Sequence, residues 1–207
     1  MDTQTIRFVI IAAALYGLFH WAYLNVPDDS LRKVVYPNVI GHAAAKVITT
    51  ATPKYKVTIR DNTIRSGSTI LNIVRGCDGS GVWFMLMSAI IGFGIAQNAG
   101  MGRDKEEYKA SLQDPNSATV ASRINAAALG IVARSKEIIG GILIGTIVVY
   151  IINQIRIVGL FYLVDWKRSL FPVVHTYFAP TLIILIIAGF FLWWTQWSMQ
   201  RWMRKSP

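Results

Sequence analysis

Four long apolar runs constrain this chain more than any other feature of its sequence. They lie at roughly residues 7–24, 82–99, 138–160 and 180–199. Each is close to the length of about 20 residues that a helix needs to cross a bilayer, and a soluble domain rarely carries several such runs. We therefore predict an all-α polytopic membrane protein with about four transmembrane helices, arranged as a single membrane domain over residues 1–207.

The segment between the first two runs, residues 25–81, is long enough to hold structure of its own. In "NVIGHAAAKVITTAT" apolar residues recur at every fourth position from Val39 to Ala51. This pattern predicts a short helix that lies at the membrane interface or packs on the helix bundle. "YKVTIRDNTIRSG" predicts a β-hairpin that turns at Asp61 and Asn62, and "STILNIVRGC" is a candidate third strand. The expected fold is thus helical, with a small helix and a β-hairpin inserted outside the membrane.

Charge favours one orientation. The basic C-terminal tail and the basic segment 100–137 indicate that both termini and this segment are cytoplasmic, which makes 25–81 and 161–179 extracytoplasmic. The signal is modest, because 25–81 also carries eight Lys and Arg residues. A second interfacial helix is expected in the cytoplasmic loop 100–137. The formal net charge of +10 fits contact with anionic membrane lipids, and without a recognition motif we predict no nucleic-acid binding.

Cys77, the only cysteine, stands in "RGCDGSG" just before the second apolar run. The partial positive charge at a helix N-terminus stabilises a thiolate, which is the nucleophilic form of cysteine. We expect Arg75 to add to that effect and Asp78 to oppose it, while Gly79 permits close approach of a substrate backbone. The alternative is that a lone membrane cysteine is a small, inert apolar residue.

Two further candidates reach the same side of the membrane in this topology. Arg156 lies in "INQIRIVGL", at the end of the third apolar run. A charge inside a membrane span is energetically costly and therefore indicates a functional residue. The alternative is that Arg156 lies near the interface and extends its charged end to the headgroups. Asn153, one helical turn earlier on the same face, is expected to orient the Arg156 guanidinium, to contact the substrate or to pack against a neighbouring helix. His175, in "FPVVHTYFAP", can activate a thiol and deliver a proton, although alone it is typical of an interfacial histidine. The convergence of Cys77, Arg156 and His175 from three separate elements favours an enzyme.

Other chemistries have no support in the sequence. The three histidines and the single cysteine lack the spacing of metal ligands, so we predict no metal and no cofactor. The sequence contains neither a phosphate-binding loop nor a serine-hydrolase elbow.

Three pieces of the sequence together resemble the exosortase/archaeosortase family of membrane transpeptidases. They are "GCDGSG" before the second apolar run, "INQIRIVGL" at the end of the third, and "FPVVH" before the last. The order and placement of these pieces, over roughly residues 55–199, carry the resemblance. The chain is similar to the short forms of the family, such as exosortase H. It departs from the family pattern at Asp78, where serine or threonine is more usual.

The resemblance implies a cysteine transpeptidase or peptidase of the bacterial inner (cytoplasmic) membrane, with its active site on the extracytoplasmic side. Its partners would be exported proteins whose C-terminal signal consists of a short motif, a transmembrane helix and a basic tail. Cys77 would be the nucleophile, Arg156 the stabiliser of the oxyanion and His175 the general acid and base. Asn153, Arg75 and Gly79 are the candidate substrate-binding residues. A non-enzymatic membrane scaffold or small transport component is the alternative.

The second apolar run is rich in small residues. Its small residues would let a substrate's own transmembrane helix pack closely against it. They are Ser88, Ala89, Gly92, Gly94 and Ala96.

Overall fold

The computed structural model describes the backbone of residues 3–112 and 120–205 and the side chains of residues 3–97 and 135–201. Within these ranges the chain is mostly helical, with one small sheet. The helices are α1 (Thr3–Leu24), α2 (Asp28–Ser30), α3 (His42–Ala51), α4 (Ser80–Leu112), α5 (Val120–Lys167), α6 (Phe171–Val173) and α7 (Ala179–Lys205). The strands are β1 (Thr58–Arg60), β2 (Thr63–Ser66) and β3 (Thr69–Asn72). Wider π-helical turns occupy Leu31–Gly41 and Val174–Phe178, and a 3-10 turn occupies Arg168–Leu170.

Three helical stretches of the described chain are long and apolar enough to cross a membrane: Thr3–Leu24, Ser80–Gln97 and Ser135–Arg201. The third stretch contains two of the predicted apolar runs. Regular helix is interrupted between them, because Lys167 has the non-helical angles φ −150° and ψ 78° and a 3-10 turn follows. The described helices therefore agree with a helical membrane protein.

The sheet confirms the predicted hairpin and the candidate third strand. β1 pairs with β2 and β2 with β3, both antiparallel, in the order β1-β2-β3. The first turn is the predicted Asp61-Asn62 pair, and Asp61 takes the left-handed φ of 53° that such a two-residue turn requires. Gly67, with φ 57°, serves the second turn in the same way. β3 thus forms one edge of the sheet and leads directly towards Cys77.

The predicted short helix is also present, and one side of it is packed. Ile40, Ala44 and Ile48 are buried, whereas Val39 and Val47 on the adjoining line are about half exposed. The buried line joins a core that also includes inward-facing residues of the sheet and one face of α5. Its members on the sheet and α5 are Ile64, Leu71, Ile73, Ile157, Leu160 and Phe161. This core holds β3 beside α5 and so positions the chain that leads to Cys77.

The chain groups into two compact units. One unit comprises His20–Trp83 and Gly145–Phe190, and it contains the sheet and every predicted site residue. The other comprises Met1–Phe19, Phe84–Ile144 and Phe191–Pro207. Within its described residues the rings of Phe8, Phe93, Phe191 and Trp194 pack together, with centroid separations between 5.9 and 6.4 Å.

Small residues in the second unit allow helices of this same chain to approach one another. A Cβ atom added at Gly92 would lie 3.2 Å from Ala12 of α1, and one at Gly94 would lie 2.5 Å from the Ile138 side chain of α5. At these two positions, the expectation that small residues of α4 are open to a substrate helix is therefore wrong. They are small because neighbouring helices already pack against them.

The segment 100–137, predicted as a cytoplasmic loop, is helical where its backbone is described. α4 continues to Leu112 and α5 begins at Val120. Residues 113–119 lie outside the described backbone. The apolar face expected for an interfacial helix in this segment lies outside the described side chains.

The contact of Gly141 with Trp194 gives a test of helix packing in this unit. A Cβ at Gly141 would lie 2.3 Å from the Trp194 indole nitrogen, whereas one at the adjacent Gly140 would meet nothing within 4 Å. Gly141→Ala should therefore lower the melting temperature in detergent, since overpacking typically costs about 1–3 kcal/mol. Gly140→Ala is the matched control and should leave it unchanged or raise it, because alanine favours helix. Equal melting temperatures for the two variants would contradict this packing.

Candidate active site

Cys77 lies in a tight turn between β3 and α4. Its backbone N–H donates to the Val74 carbonyl at 2.9 Å, and Gly76 and Gly79 adopt left-handed φ angles of 85° and 80°. Asp78 caps the start of α4, because its Oδ1 accepts hydrogen bonds from the backbone N–H of Ser80 at 3.2 Å and from its hydroxyl at 2.9 Å. The sequence "RGCDGSG" therefore folds as a turn whose carboxylate, rather than its thiol, occupies the helix N-terminus.

Arg75 fastens this turn to the end of α1. Its Nη1 donates to the carbonyls of Tyr23 and Leu24, both at 3.1 Å, and its Nη2 donates to the carbonyl of Val26. Its Nε donates to Asp28 at 2.9 Å. A cation that binds the last carbonyls of a helix satisfies groups that lack partners within the helix. Arg75 thus has a structural role here, and the hypothesis that it binds substrate receives no support from its contacts.

The structure brings Cys77 and His175 into direct contact. The Cys77 Sγ lies 3.3 Å from the His175 Nε2, although the two residues are 98 positions apart. The imidazole stacks on the Phe171 ring, with centroids 5.1 Å apart and an interplanar angle of 6°. The turn that precedes α7 therefore presents His175 in a fixed orientation to the only cysteine of the chain.

Arg156 is the third member of the group. Its positive charge acts on the Cys77 thiol, whose pKa it lowers. Its Nε is buried, and no hydrogen-bond partner for that atom is found in residues 3–97 or 135–201. A buried donor without a partner is costly, so the Arg156 Nε is an unsatisfied polar group of this site. The three residues that the sequence singled out are therefore brought together at one place.

Burial is the main influence on Cys77, and it raises the pKa of the thiol above its usual value. The Arg156 charge and a backbone hydrogen bond from Val74 lower this pKa, and the Asp78 carboxylate raises it. The effect of Asp78 agrees with the expectation from the sequence, whereas Arg75, which was expected to favour the thiolate, is bound to the end of α1 and to Asp28. The resting form is a neutral thiol, which can donate its proton to Nε2 of His175.

A further network holds Asp78 in place. The Tyr23 hydroxyl donates to Asp78 Oδ2 and lies 3.2 Å from the hydroxyl of Tyr36, which is buried. The carboxylate therefore accepts bonds from Tyr23 and Ser80 together. This accounts for an acidic residue next to the cysteine, because Asp78 serves the turn as a structural anchor.

Gly79 and Asn153 contact each other. A Cβ at Gly79 would lie 3.0 Å from the Asn153 side chain, so the close approach that this glycine allows is to α5. Asn153 is 4% exposed, and its Oδ1 has no partner within the described part of the chain. The neighbouring Gln154 is also buried, and its side-chain oxygen and nitrogen likewise have no hydrogen-bond partner among the described residues. The structure thus supports a packing role for Gly79 and leaves Asn153 with an unused acceptor.

Cys77 and His175 both line a cavity of about 340 Å³. Residues 70–74 and Cys77 form one wall of this cavity. Ile157, Leu160 and Val164 of α5 also line it, and the remaining lining residues are Arg168, Phe171 and His175. Its volume lies within the range of ligand clefts, which is about 300–1,000 Å³. The arrangement can therefore hold an apolar segment of a substrate next to the thiol.

Sequence reasoning missed Phe171, Arg168 and Tyr23. "FPVVH" places Phe171 one helical turn before His175, and this spacing of four was the available signal for the ring contact. Arg168 follows the third apolar run, and in the sequence it is indistinguishable from the other basic residues that flank membrane spans. Tyr23 reaches Asp78 through a contact between residues 55 positions apart, which no local pattern reveals.

Comparison with protein-family models, characterised proteins and solved structures finds no match to this chain. In the described ranges, no three His, Cys, Asp or Glu side chains lie close enough together to hold a metal ion.

The electrostatics of Cys77 predict how its alkylation depends on pH. Because burial raises the thiol pKa, the rate of reaction with iodoacetamide should rise at a higher pH than for an exposed thiol. Asp78→Asn removes a nearby negative charge and should shift this midpoint to lower pH, and Arg156→Gln removes the positive charge and should shift it to higher pH. Intact mass measures each rate directly, because Cys77 is the only thiol.

A midpoint below that of a free thiol in the wild type would contradict this description of the resting site. Shifts in the same direction for the two charge variants would contradict it as well.

Proposed function

We propose that this chain is a membrane-embedded cysteine peptidase or transpeptidase of the exosortase/archaeosortase type. It cleaves the C-terminal sorting signal of exported proteins through a thioester. The observation that carries the proposal is the 3.3 Å contact between the Cys77 Sγ and the His175 Nε2, both of which line the cavity. A thiol within hydrogen-bond reach of an imidazole is the arrangement that nucleophilic catalysis by cysteine requires.

The first step couples nucleophilic attack to proton transfer. The Cys77 sulfur attacks the carbonyl carbon of the scissile peptide bond while its proton passes to Nε2 of His175. Base assistance matters here, because the raised pKa keeps the resting thiol protonated. The former carbonyl oxygen becomes an oxyanion, and we assign its stabilisation to the positive charge of Arg156, which also acts on the Cys77 thiol.

The second step releases the first product. The carbon–nitrogen bond breaks, the imidazolium of His175 gives its proton to the departing amine, and a thioester on Cys77 remains. Water or an acceptor amine then attacks the thioester carbonyl and gives up a proton to the neutral His175. The carbon–sulfur bond breaks, and His175 passes that proton to the departing sulfur. Every proton in this cycle is accounted for by one histidine.

We also propose the topology in which this site works. In this topology α5 and α7 each contribute one span. The total is then four spans, formed by α1, the first part of α4, α5 and α7. Both termini lie in the cytoplasm. The interruption at Lys167–Leu170 and the basic tail support this arrangement. Cys77 and His175 then face the extracytoplasmic side of a bacterial inner membrane, where exported proteins with a tripartite tail reach them.

Cleavage of such a tail tests the proposed function. Wild type co-expressed with a candidate tripartite-tail protein should release a shortened product, and Cys77→Ala should release none while remaining folded and inserted. His175→Ala should lose about 10²–10⁴ in rate, and Arg156→Ala about 10²–10³. Arg60→Ala, which changes an exposed arginine of β1, is the matched control for the loss of a positive charge.

Intact mass identifies the product and the bond that is cut. Cleavage by Cys77→Ala at a rate near that of wild type would refute covalent catalysis. If wild type cleaves none of the tail proteins tested, the scaffold or transport alternative replaces the proposal.

Reporter fusions test the topology. Fusions after residues 60, 120 and 207 should report outside, inside and inside, respectively. An inward signal at residue 60 would place Cys77 on the side where exported substrates are absent, and the proposed function would fail.

A further inference from the structure

The cavity next to Cys77 runs along the open edge of the sheet. Five consecutive residues, 70–74, line it. Side chains of a strand alternate between its two faces, so five successive residues can line one cavity only if the cavity follows the strand's edge. β3 is the terminal strand in the order β1-β2-β3, and its second edge has no partner strand within the described part of the chain.

The register identifies which backbone groups face this cavity. Ile73 donates its N–H to the carbonyl of Asn62 at 2.7 Å, so it directs its backbone groups towards β2. In an antiparallel pair such residues alternate, and Leu71 and Thr69 therefore face β2 as well. The backbone groups of Ile70, Asn72 and Val74 consequently point to the open edge.

The open edge leads directly to the cysteine. The Val74 carbonyl accepts a hydrogen bond from the Cys77 N–H, and a backbone hydrogen bond from Val74 also reaches the thiol. By this register β2 does not use the N–H and carbonyl groups of Ile70 and Asn72, which remain for a ligand. An edge with free donors and acceptors at alternate residues is a template for another strand.

We propose that the segment preceding the scissile bond binds in extended form along β3, parallel to it, and ends at Cys77. This inference rests on the proposed function. It identifies the substrate's recognition segment as an added β-strand, held by backbone hydrogen bonds to Ile70 and Asn72. The direction follows from the site, because the chain after the scissile bond must enter the membrane, whereas β3 belongs to the inserted sheet.

The walls of the cavity define the side chains that the added strand should carry. Alternate residues would point towards α5, where Ile157, Leu160 and Val164 form an apolar wall. The intervening residues would lie on the face of Ile70 and Val74, which are 41% and 43% exposed. The span from residue 70 to residue 74 is about 13 Å, or four residue steps of a strand. The site therefore fits a short extended segment with apolar residues at every second position.

A tethered peptide tests this binding without knowledge of the natural motif. The probe is the peptide Val-Thr-Val-Thr-Val-Cys, activated as a thiopyridyl disulfide and attached to Cys77 of the full-length protein in detergent. Attachment forms a mixed disulfide and releases thiopyridone. Hydrogen exchange of the Ile70 and Asn72 amides should slow at least tenfold, because tethering gives the peptide a high effective concentration at the edge.

Two N-methylated forms of the probe, equal in mass, are the matched controls. One is methylated at the first and third valines, and the other at the two threonines. Only one set of N–H groups can face β3, so one form should abolish the protection and the other should retain it. Protection that is absent with the unmodified probe, or identical with both methylated forms, overturns the proposal. Protection that rises with protein concentration before any peptide is attached would assign the edge to a second copy of the chain and would overturn it too.

Cleavage assays separate this inference from the proposed function. Asn72→Pro removes an edge N–H without removing a β2–β3 hydrogen bond, and Asn72→Ala changes the side chain alone. Asn72→Pro should cleave the tripartite-tail protein at least tenfold more slowly than Asn72→Ala, while the pH dependence of Cys77 alkylation stays the same. Equal cleavage rates would overturn the edge-binding proposal and leave the peptidase intact. If wild type cleaves nothing but the tethered probe is protected, the peptidase fails and the edge remains a strand-binding site.

Discussion

The position of the Cys77 thiol depends on Arg75 and its bonds to the end of α1. This guanidinium reaches three carbonyls and one carboxylate, and so connects the turn that carries Cys77 to Tyr23, Leu24 and Val26. Its ion pair with the exposed Asp28 contributes at most about 1 kcal/mol. The carbonyl bonds matter more, because they satisfy acceptors that the helix itself leaves unpaired. Without them the turn would lose its fixed place beside His175.

This anchoring explains why the charges around Cys77 do not have the roles that the linear sequence suggests. Arg75 is next to the cysteine in sequence, but its charge is committed to α1. Arg156, distant in sequence, is the cation that lowers the thiol pKa. Asp78 holds the start of α4 and accepts a bond from Tyr23, and its charge opposes thiolate formation. The resting site is therefore a neutral thiol beside an imidazole.

Features with a local signature could be predicted from the sequence. The hairpin turn at Asp61 and Asn62, the strand before Cys77 and the buried line of Ile40, Ala44 and Ile48 follow from periodicity and turn chemistry, and the structure has all of them. The meeting of Cys77 with His175 was expected from topology and function together.

Other features depend on contacts between segments that are distant in the chain, and the sequence does not reveal these contacts. Gly79 packs against Asn153, and Gly92 and Gly94 pack against helices of the same chain, so small residues expected to face a substrate are already in use. The edge of β3 was equally hidden, because its importance depends on α5 lining the same cavity. Buried polar atoms of the site that have no partner among the described residues include the Asn153 Oδ1, the Arg156 Nε and the His175 Nδ1, and they could be found only once the packing was known.

The central claim is that Cys77 and His175 act as a nucleophile and base on a peptide bond. Acid-quenched turnover of a tripartite-tail protein, analysed by intact mass, tests it most directly. The account predicts an adduct on Cys77 with the mass of the substrate's N-terminal part. Hydroxylamine should remove the adduct, because it is a thioester, and His175→Ala should accumulate it far more slowly. Cleavage that proceeds with no adduct on Cys77 at any time would contradict the account.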